Sequence, residues 1–352
     1  MRRVGVVGDG LSGLIAGLGA GSCGVEVAIF GHSEPLGGLA SPIDPEATWL
    51  FDRIPLFWRR KGRLDNLLNR LKVPMPSRRV PLSRMAFIRD DQRHSLPTVA
   101  NYFRRSTGEL SAEWTTLIKA ARAGDLRNLE GSAKDAAILL SLLWNFDSTP
   151  DSEAILNLGW KDSARVAIDG WVGVSGRLIS ACMQTDASFH TDGPVTGFRR
   201  RDNGYIDGIK RKGRVLPVDA VIQASSRSDS VLYGRYLGLS GDFLRPHVVL
   251  WDADRKVLLV DLASVTPERV PKEYRGRATL LHCLAFGDSE SAADRIESLL
   301  DSQCSGWRNS IVEDFTLENL RLPTIPDVEF EDGVYHAHIG NAFEIGKKAA
   351  QS

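Results

Sequence analysis

The sequence predicts an α/β fold organised around a strand, a glycine turn, a helix and a second strand at its start. Three stretches carry that expectation. Arg3 to Phe30 has the pattern of strand, glycine turn, helix and strand; Pro194 to Ala224 that of a β-meander and a buried strand; Gly333 to Ala350 that of a closing strand and helix. In the first, Val4, Val6 and Val7 form a β-branched run, and Gly8-Asp9-Gly10-Leu11-Ser12-Gly13 follows at once. Leu14 to Ser22, rich in Ala, Leu and Gly, suits a closely packed helix. Gly24 ends it, and Val25, Val27, Ile29 and Phe30 resume the strand pattern. A G-x-G-x-x-G run carries meaning in that setting. Its first glycine permits the tight turn, its second lets a pyrophosphate reach the backbone, and its third brings helix and strand together. The helix start offers unpaired N–H groups and a partial positive charge. Gly8, Gly10, Leu11, Ser12 and Gly13 are therefore candidate dinucleotide-binding residues.

Gly37-Gly38, followed by Leu39-Ala40-Ser41-Pro42, lies just past the second strand. A Gly-Gly pair there gives a loop whose backbone can lie against further phosphate or a ribityl chain. With Leu14 and Gly24, this opening resembles the flavoprotein family of phytoene desaturases, protoporphyrinogen oxidases and amine oxidases. The resemblance implies a Rossmann-like FAD/NAD(P)-binding domain with an inserted helical cap and a mixed β-sheet substrate domain. It implies FAD as cofactor, with Gly37, Gly38 and Leu39 beside it. The family's second strand normally ends in Glu, which holds the adenosine ribose. Here that place is Gly31, and Glu34 comes three residues late. His32 and Ser33 either form a turn or hydrogen-bond a ribose or a 2′-phosphate.

The 352 residues suffice for one large or two ordinary domains. The formal net charge of zero points to no nucleic acid. Met1-Arg2-Arg3 runs straight into a strand, so no leader is expected, and no stretch approaches the roughly 18 apolar residues of a membrane span. Cys23, Cys182, Cys283 and Cys304 are spread without a C-x-x-C pair, which suits free thiols in a reducing cytoplasm rather than zinc or a disulfide framework.

Trp49 to Trp58 is dense in aromatics. The family has Phe-Asp-x-Gly-x-His there; this chain keeps Phe51-Asp52 and loses Gly and His. Arg59, Arg60, Lys61 and Arg63 are either a solvated helix start or a patch that steers an anionic substrate or touches a membrane surface peripherally. Leu64, Leu67, Leu68 and Leu71 recur at helical spacing, predicting a helix over 62–72. Two short strands are expected at Met85–Ile88 and His94–Leu96, the latter before a Leu96-Pro97 pair. Ser111 is placed to cap a helix to Ala123, and Ser132 another that Ser148-Thr149-Pro150 stops. The resemblance makes this region the cap. Trp144, Trp160 and Trp171 suit core positions better than a stacking platform.

Ser175-Gly176-Arg177-Leu178 is expected to start a helix. Strands follow at Val195–Phe198, around Ile206, at Gly213–Pro217 and at Asp219–Ala224. The resemblance places Val195 at the adenine edge and Ala224 beside the pyrophosphate. Residues 247–262 alternate as a hairpin, Thr279–Phe286 and Phe315–Leu322 suit strands, and Ser291–Leu300 an amphipathic helix. At the end, the family's Gly-Asp grips the ribityl chain and the next helix points its positive end at the flavin. Here Gly340-Asn341 before Ala342 takes that place, or His338-Ile339, and neither supplies an Asp. The expected divisions are 1–60, 161–230 and 326–352 for the FAD-binding domain, 61–160 for the cap and 231–325 for the substrate domain.

A charge-assisted hydrogen bond contributes roughly 1.5–3 kcal/mol. Without both acids, binding weakens by on the order of a hundredfold. The first expectation is a FAD-dependent oxidoreductase acting by hydride transfer on a mostly apolar small organic substrate. His336 and His338, expected to alternate with Ala337 on the closing strand near the flavin edge, are candidates for proton handling, against their reading as core or solvent-facing residues. The alternative is a degenerate protein of the same fold, serving as a binding or partner subunit. A third is a nicotinamide site in which His32 and Ser33 recognise a 2′-phosphate.

Overall fold

The computed structural model describes residues 2–31, 35–96, 109–145, 150–160, 164–224, 227–288, 290–323, 330–331, 333–338 and 340–352. His32, Ser33, Glu34, Pro97, Ser148, Thr149 and Ile339 lie outside them. Six strands form the first sheet, in the spatial order β8 (Ser188–His190), β2 (Glu26–Phe30), β1 (Arg3–Val7), β12 (Ala220–Gln223), β19 (Val334–His336) and β18 (Phe330–Glu331). All pairings are parallel except that of β18 with β19. Val7 pairs with Phe30 and Gln223, Phe30 with His190, and Gln223 with His336, so five carboxyl ends lie along one edge. The chain runs from β1 outward to β2 and β8, then returns to β12 and β19 on the other side. The topological switch point therefore falls between β1 and β12, where open α/β sheets bind ligands.

One face of this sheet carries three helices: α1 (Leu11–Gly21), α5 (Gly170–Met183) and α7 (Ala342–Gln351). Glycine lets α1 and α7 touch backbone to backbone. A Cβ on Gly346 would lie 2.1 Å from the Ala16 carbonyl oxygen, and one on Gly19 would lie 2.2 Å from that of Phe343. The other face carries the meander β9 (Val195–Arg200), β10 (Ile206–Arg211) and β11 (Arg214–Pro217), whose Ile209 packs onto Gly5 of β1.

A seven-stranded sheet follows the order β17 (Ile311–Pro323), β13 (Arg227–Leu239), β16 (Thr279–Phe286), β15 (Val257–Asp261), β14 (Val249–Asp252), β5 (Met85–Arg89) and β6 (Gln92–Ser95). Strand periodicity divides its side chains. Leu280, Leu284 and Phe286 of β16 join one core with Trp114 and Leu117 of α3 (Glu109–Ala123) and Leu139, Leu140 and Leu143 of α4 (Gly131–Asn145). Leu281, Cys283 and Ala285 face the other way, onto Ile296, Leu299 and Leu300 of α6 (Ala292–Gln303). A small sheet of β3 (Trp58–Arg59), β7 (Ala164–Ala167) and β4 (Ser77–Arg79) lies beside α2 (Arg63–Arg70) in the chain order, and no helix among the described residues is long and apolar enough to cross a membrane.

Several helix starts differ from expectation. α3 begins at Glu109, two residues before Ser111, and α4 begins at Gly131 rather than behind a Ser132 cap. α5 begins at Gly170, not Ser175, because the Asp52 carboxylate accepts the Trp171 N–H at 2.7 Å. That bond spans 119 residues and has no local signature. Trp171 is buried and Trp144 packs against the core.

Candidate functional site

The site is built from β1 outward. Gly8 follows Val7 at φ +116°, a conformation that favours glycine. A Cβ on Gly13 would lie 1.8 Å from the Gly8 carbonyl oxygen and 3.6 Å from the Ala224 Cβ. Gly13 therefore lets α1 start directly against the turn, and it brings Ala224 to the same spot. The Ala224 N–H also donates to the Val7 carbonyl at 2.8 Å. Gly10 is the residue before α1, in extended conformation, with no side chain capping the helix. The helix start thus keeps its attraction for an anion.

Gly37 and Gly38 have φ of +118° and +56° and close over Gly10. A Cβ on Gly38 would lie 3.1 Å from the Gly10 Cα, whereas one on Gly10 would meet only the Gly37 oxygen, at 3.8 Å. The space above Gly10 is thus one that a side chain would fill, and this fits a diphosphate held by backbone. Leu39 lies in the 3₁₀ turn Gly38–Ala40, which α5 fixes through a Ser175 hydroxyl donating to the Ala40 oxygen at 3.1 Å. Val195 opens β9 and shares an apolar cluster with Val7 and Phe30, so it stands at the carboxyl ends of β1 and β2.

At the far side of the switch point, β19 ends at His336. His338 is not on that strand: it lies in the turn before α7, which corrects the expectation that the two histidines alternate on a strand. The Gly340 N–H donates to His338 Nδ1 at 3.1 Å, so the neutral ring carries its proton on Nε2. Asn341 immediately precedes α7, and Ala342 is the helix's first residue. The Asn341 Oδ1 accepts the His338 N–H at 2.9 Å. Its carboxamide oxygen is therefore engaged by its own turn, unlike a carboxylate reaching for a ribityl hydroxyl. His32 lies outside the described residues.

Sequence reasoning passed over Asp9 and Ser175. Asp9 is buried in the glycine turn, and its Oδ2 accepts the Gly37 N–H at 3.1 Å. Its only sequence signal is an acid between two fingerprint glycines. Away from this edge, a groove of about 340 Å³ lined by Arg3, Glu26, Arg199, Arg201 and Asp207 lies beyond the amino end of β1. Those charges already pair, Arg3 with Glu26 and both other arginines with Asp207, so the groove is a solvated ion-pair surface. No group of three or more His, Cys, Asp or Glu side chains placed to hold a metal occurs among the described residues.

No protein-family model matches the chain, and no curated protein matches it in sequence. In fold it is similar to an oxidoreductase from Methanosarcina mazei, at 15% identity and a TM-score of 0.73, over 96% of this chain and 95% of that one. It is similar to cyclohexylamine oxidase from Brevibacterium oxydans IH-35A at 13% identity and a TM-score of 0.65, over 99% and 98% of the two chains. A Rab GDI from Plasmodium falciparum aligns at 14% identity and a TM-score of 0.65, over 99% and 96%. The α/β architecture expected from the sequence is thus one that oxidoreductases and amine oxidases share. One of the three carries no oxidoreductase name, so function has to be argued from the site.

Proposed function

We propose that this chain binds FAD along the carboxyl edge of its parallel sheet and is a flavin-dependent oxidoreductase for a mostly apolar small organic substrate. The observation that carries the reading is the glycine cradle, in which the Gly37-Gly38 loop lies against Gly10 and a Cβ on Gly10 would meet only the Gly37 oxygen, at 3.8 Å. Leu11, Ser12 and Gly13 would present N–H groups to the diphosphate, Gly37, Gly38 and Leu39 their backbone, and Val195 and Ala224 the rims of the adenosine and diphosphate sites. Gly340, Asn341 and Ala342 would bring the positive end of α7 to the flavin edge. Flavin, when bound, supplies the hydride chemistry. The chain's own part is to position it, to cover the large sheet with α3 and α4 through an apolar interface, and to hold protons at His336 or His338.

A second reading, a binding or partner subunit that keeps the fold without redox activity, is favoured by Asn341, whose amide oxygen is held by its own turn. The discriminating experiment is calorimetric titration of the purified protein with FAD, with its visible spectrum recorded before and after. The expected result is a yellow protein, or a colourless one that takes up added FAD and photoreduces it. NADP is expected not to compete. Protein that takes up no FAD removes the enzymatic reading and leaves the second.

A further inference from the structure

We propose that Asp9 is the carboxylate that grips the adenosine ribose, moved into the glycine turn from its usual place at the end of the second strand. This rests on the nucleotide site proposed above. In sheets of this topology an acid about twenty residues past the fingerprint accepts the ribose hydroxyls. Here that place is Gly31, whose N–H donates to the His190 carbonyl at 2.9 Å and so continues the pairing of β2 with β8. A Cβ on Gly31 would lie 3.0 Å from the Asp9 Cγ and 3.1 Å from its Oδ2. A side chain at 31 would therefore press against the carboxylate at 9, and the carboxylate occupies the start of the path a glutamate at 31 would take.

Asp9 is 9% exposed. The bond from the Gly37 N–H to Oδ2 holds its carboxylate between the two glycine loops. A carboxylate accepts about four hydrogen bonds, so accepting from the protein and from a diol are compatible. The same charge makes the site selective. A free 2′,3′-diol donates to it, and a 2′-phosphate is repelled. The cofactor class that fits is an adenine nucleotide with an unmodified ribose.

The test is calorimetric titration of the full chain with ADP, 2′-deoxy-ADP and adenosine 2′,5′-bisphosphate. Wild type is expected to bind ADP about tenfold or more tightly than 2′-deoxy-ADP, and to bind the bisphosphate weakly. Asp9→Asn, whose Oδ1 still accepts from Gly37, is expected to bind the two diphosphates alike and to admit the bisphosphate more readily. Asp9→Gly combined with Gly31→Glu should restore the ribose preference. Equal affinity of wild type for ADP and 2′-deoxy-ADP overturns the inference, as does a preference unchanged in Asp9→Asn; the nucleotide site then stands. Folded wild type that binds no ADP overturns both. Should Asp9→Asn melt early, the wild-type comparison decides alone.

Discussion

His282 is fully buried in β16, where its Nε2 accepts the Asp52 N–H at 3.1 Å and its Nδ1 lies 3.3 Å from the Val260 carbonyl. Burial lowers its pKa from 6.5 to about 4, against the attraction of Asp52. The neutral ring suits these contacts, since protonation would turn the accepting Nε2 into a second donor. Asp261, on the neighbouring strand, is moved the opposite way: burial raises its pKa from 3.8 to about 7, although its Oδ1 accepts N–H groups from Ala263 and Leu280. The signs follow from proton counts. Between pH 6.5 and 4 the unfolded chain binds more protons at His282, so stability falls as pH falls, by on the order of 3 kcal/mol. Between pH 4 and 7 the folded chain binds more at Asp261, so stability falls as pH rises, by on the order of 4 kcal/mol. The two slopes oppose over most of their range. Urea midpoints from pH 4 to 7.5 should therefore vary little in wild type on their account. Asp261→Asn should unmask the loss on the acid side and His282→Gln the loss towards neutral pH. Parallel profiles for all three proteins would show that neither group titrates as argued.

Among the elements, α1 and α7 depend most on two atoms being absent. Gly346→Ala would drive a methyl group into the Ala16 carbonyl, which is backbone and cannot swing aside. Overpacking of this kind costs roughly 1–3 kcal/mol. Because α7 begins at the carboxyl edge beside His336 and Ala337, the same shift should also weaken FAD uptake. Urea unfolding and FAD titration of Gly346→Ala should fall together; a stable variant with unchanged FAD affinity would separate α7 from the site. These elements were legible where the signal is local. Thr279–Phe286 is a short, mostly apolar run and forms a strand with those bounds, buried along its whole length. β13 was missed because Gly234 and Gly238 interrupt its pattern and suggest turns. They lie instead under aromatic rings: a Cβ would meet the Tyr236 ring at Gly234 and the Trp49 ring at Gly238. The glycine cradle was readable from spacing. The packing of Asp9 over Gly31 and the commitment of Asn341 to its own turn depend on how the loops meet in space, which spacing does not record.

At the scale of the whole molecule, one buried network links the core under the parallel sheet to the core under the large sheet. Asp52 and Arg269 form an ion pair at 2.6 Å, with side chains 2% and 1% exposed. Arg269 also donates to the Ala167 carbonyl at 2.6 Å, and Asp52 accepts from Trp171, so both reach the start of α5 in the first core. Phe51, next in the chain, belongs to the second core, and His282 touches it edge-on at 5.6 Å between ring centroids. Breaking one partner of a buried pair costs about 3–5 kcal/mol, because the other charge stays behind without compensation. Arg269→Met is therefore expected to destabilise by that amount. Asp52→Asn in addition should recover most of the loss, since Asn Oδ1 still accepts the Trp171 N–H and no charge remains. Amide exchange locates the effect. If the network staples the two cores, Arg269→Met speeds exchange both at the start of α5 and along β16, more than 100 residues apart in sequence and linked there through Asp52, Arg269 and His282. Faster exchange confined to the turn at 267–270 would mean that each core holds its own half and that the pair stabilises the loop alone.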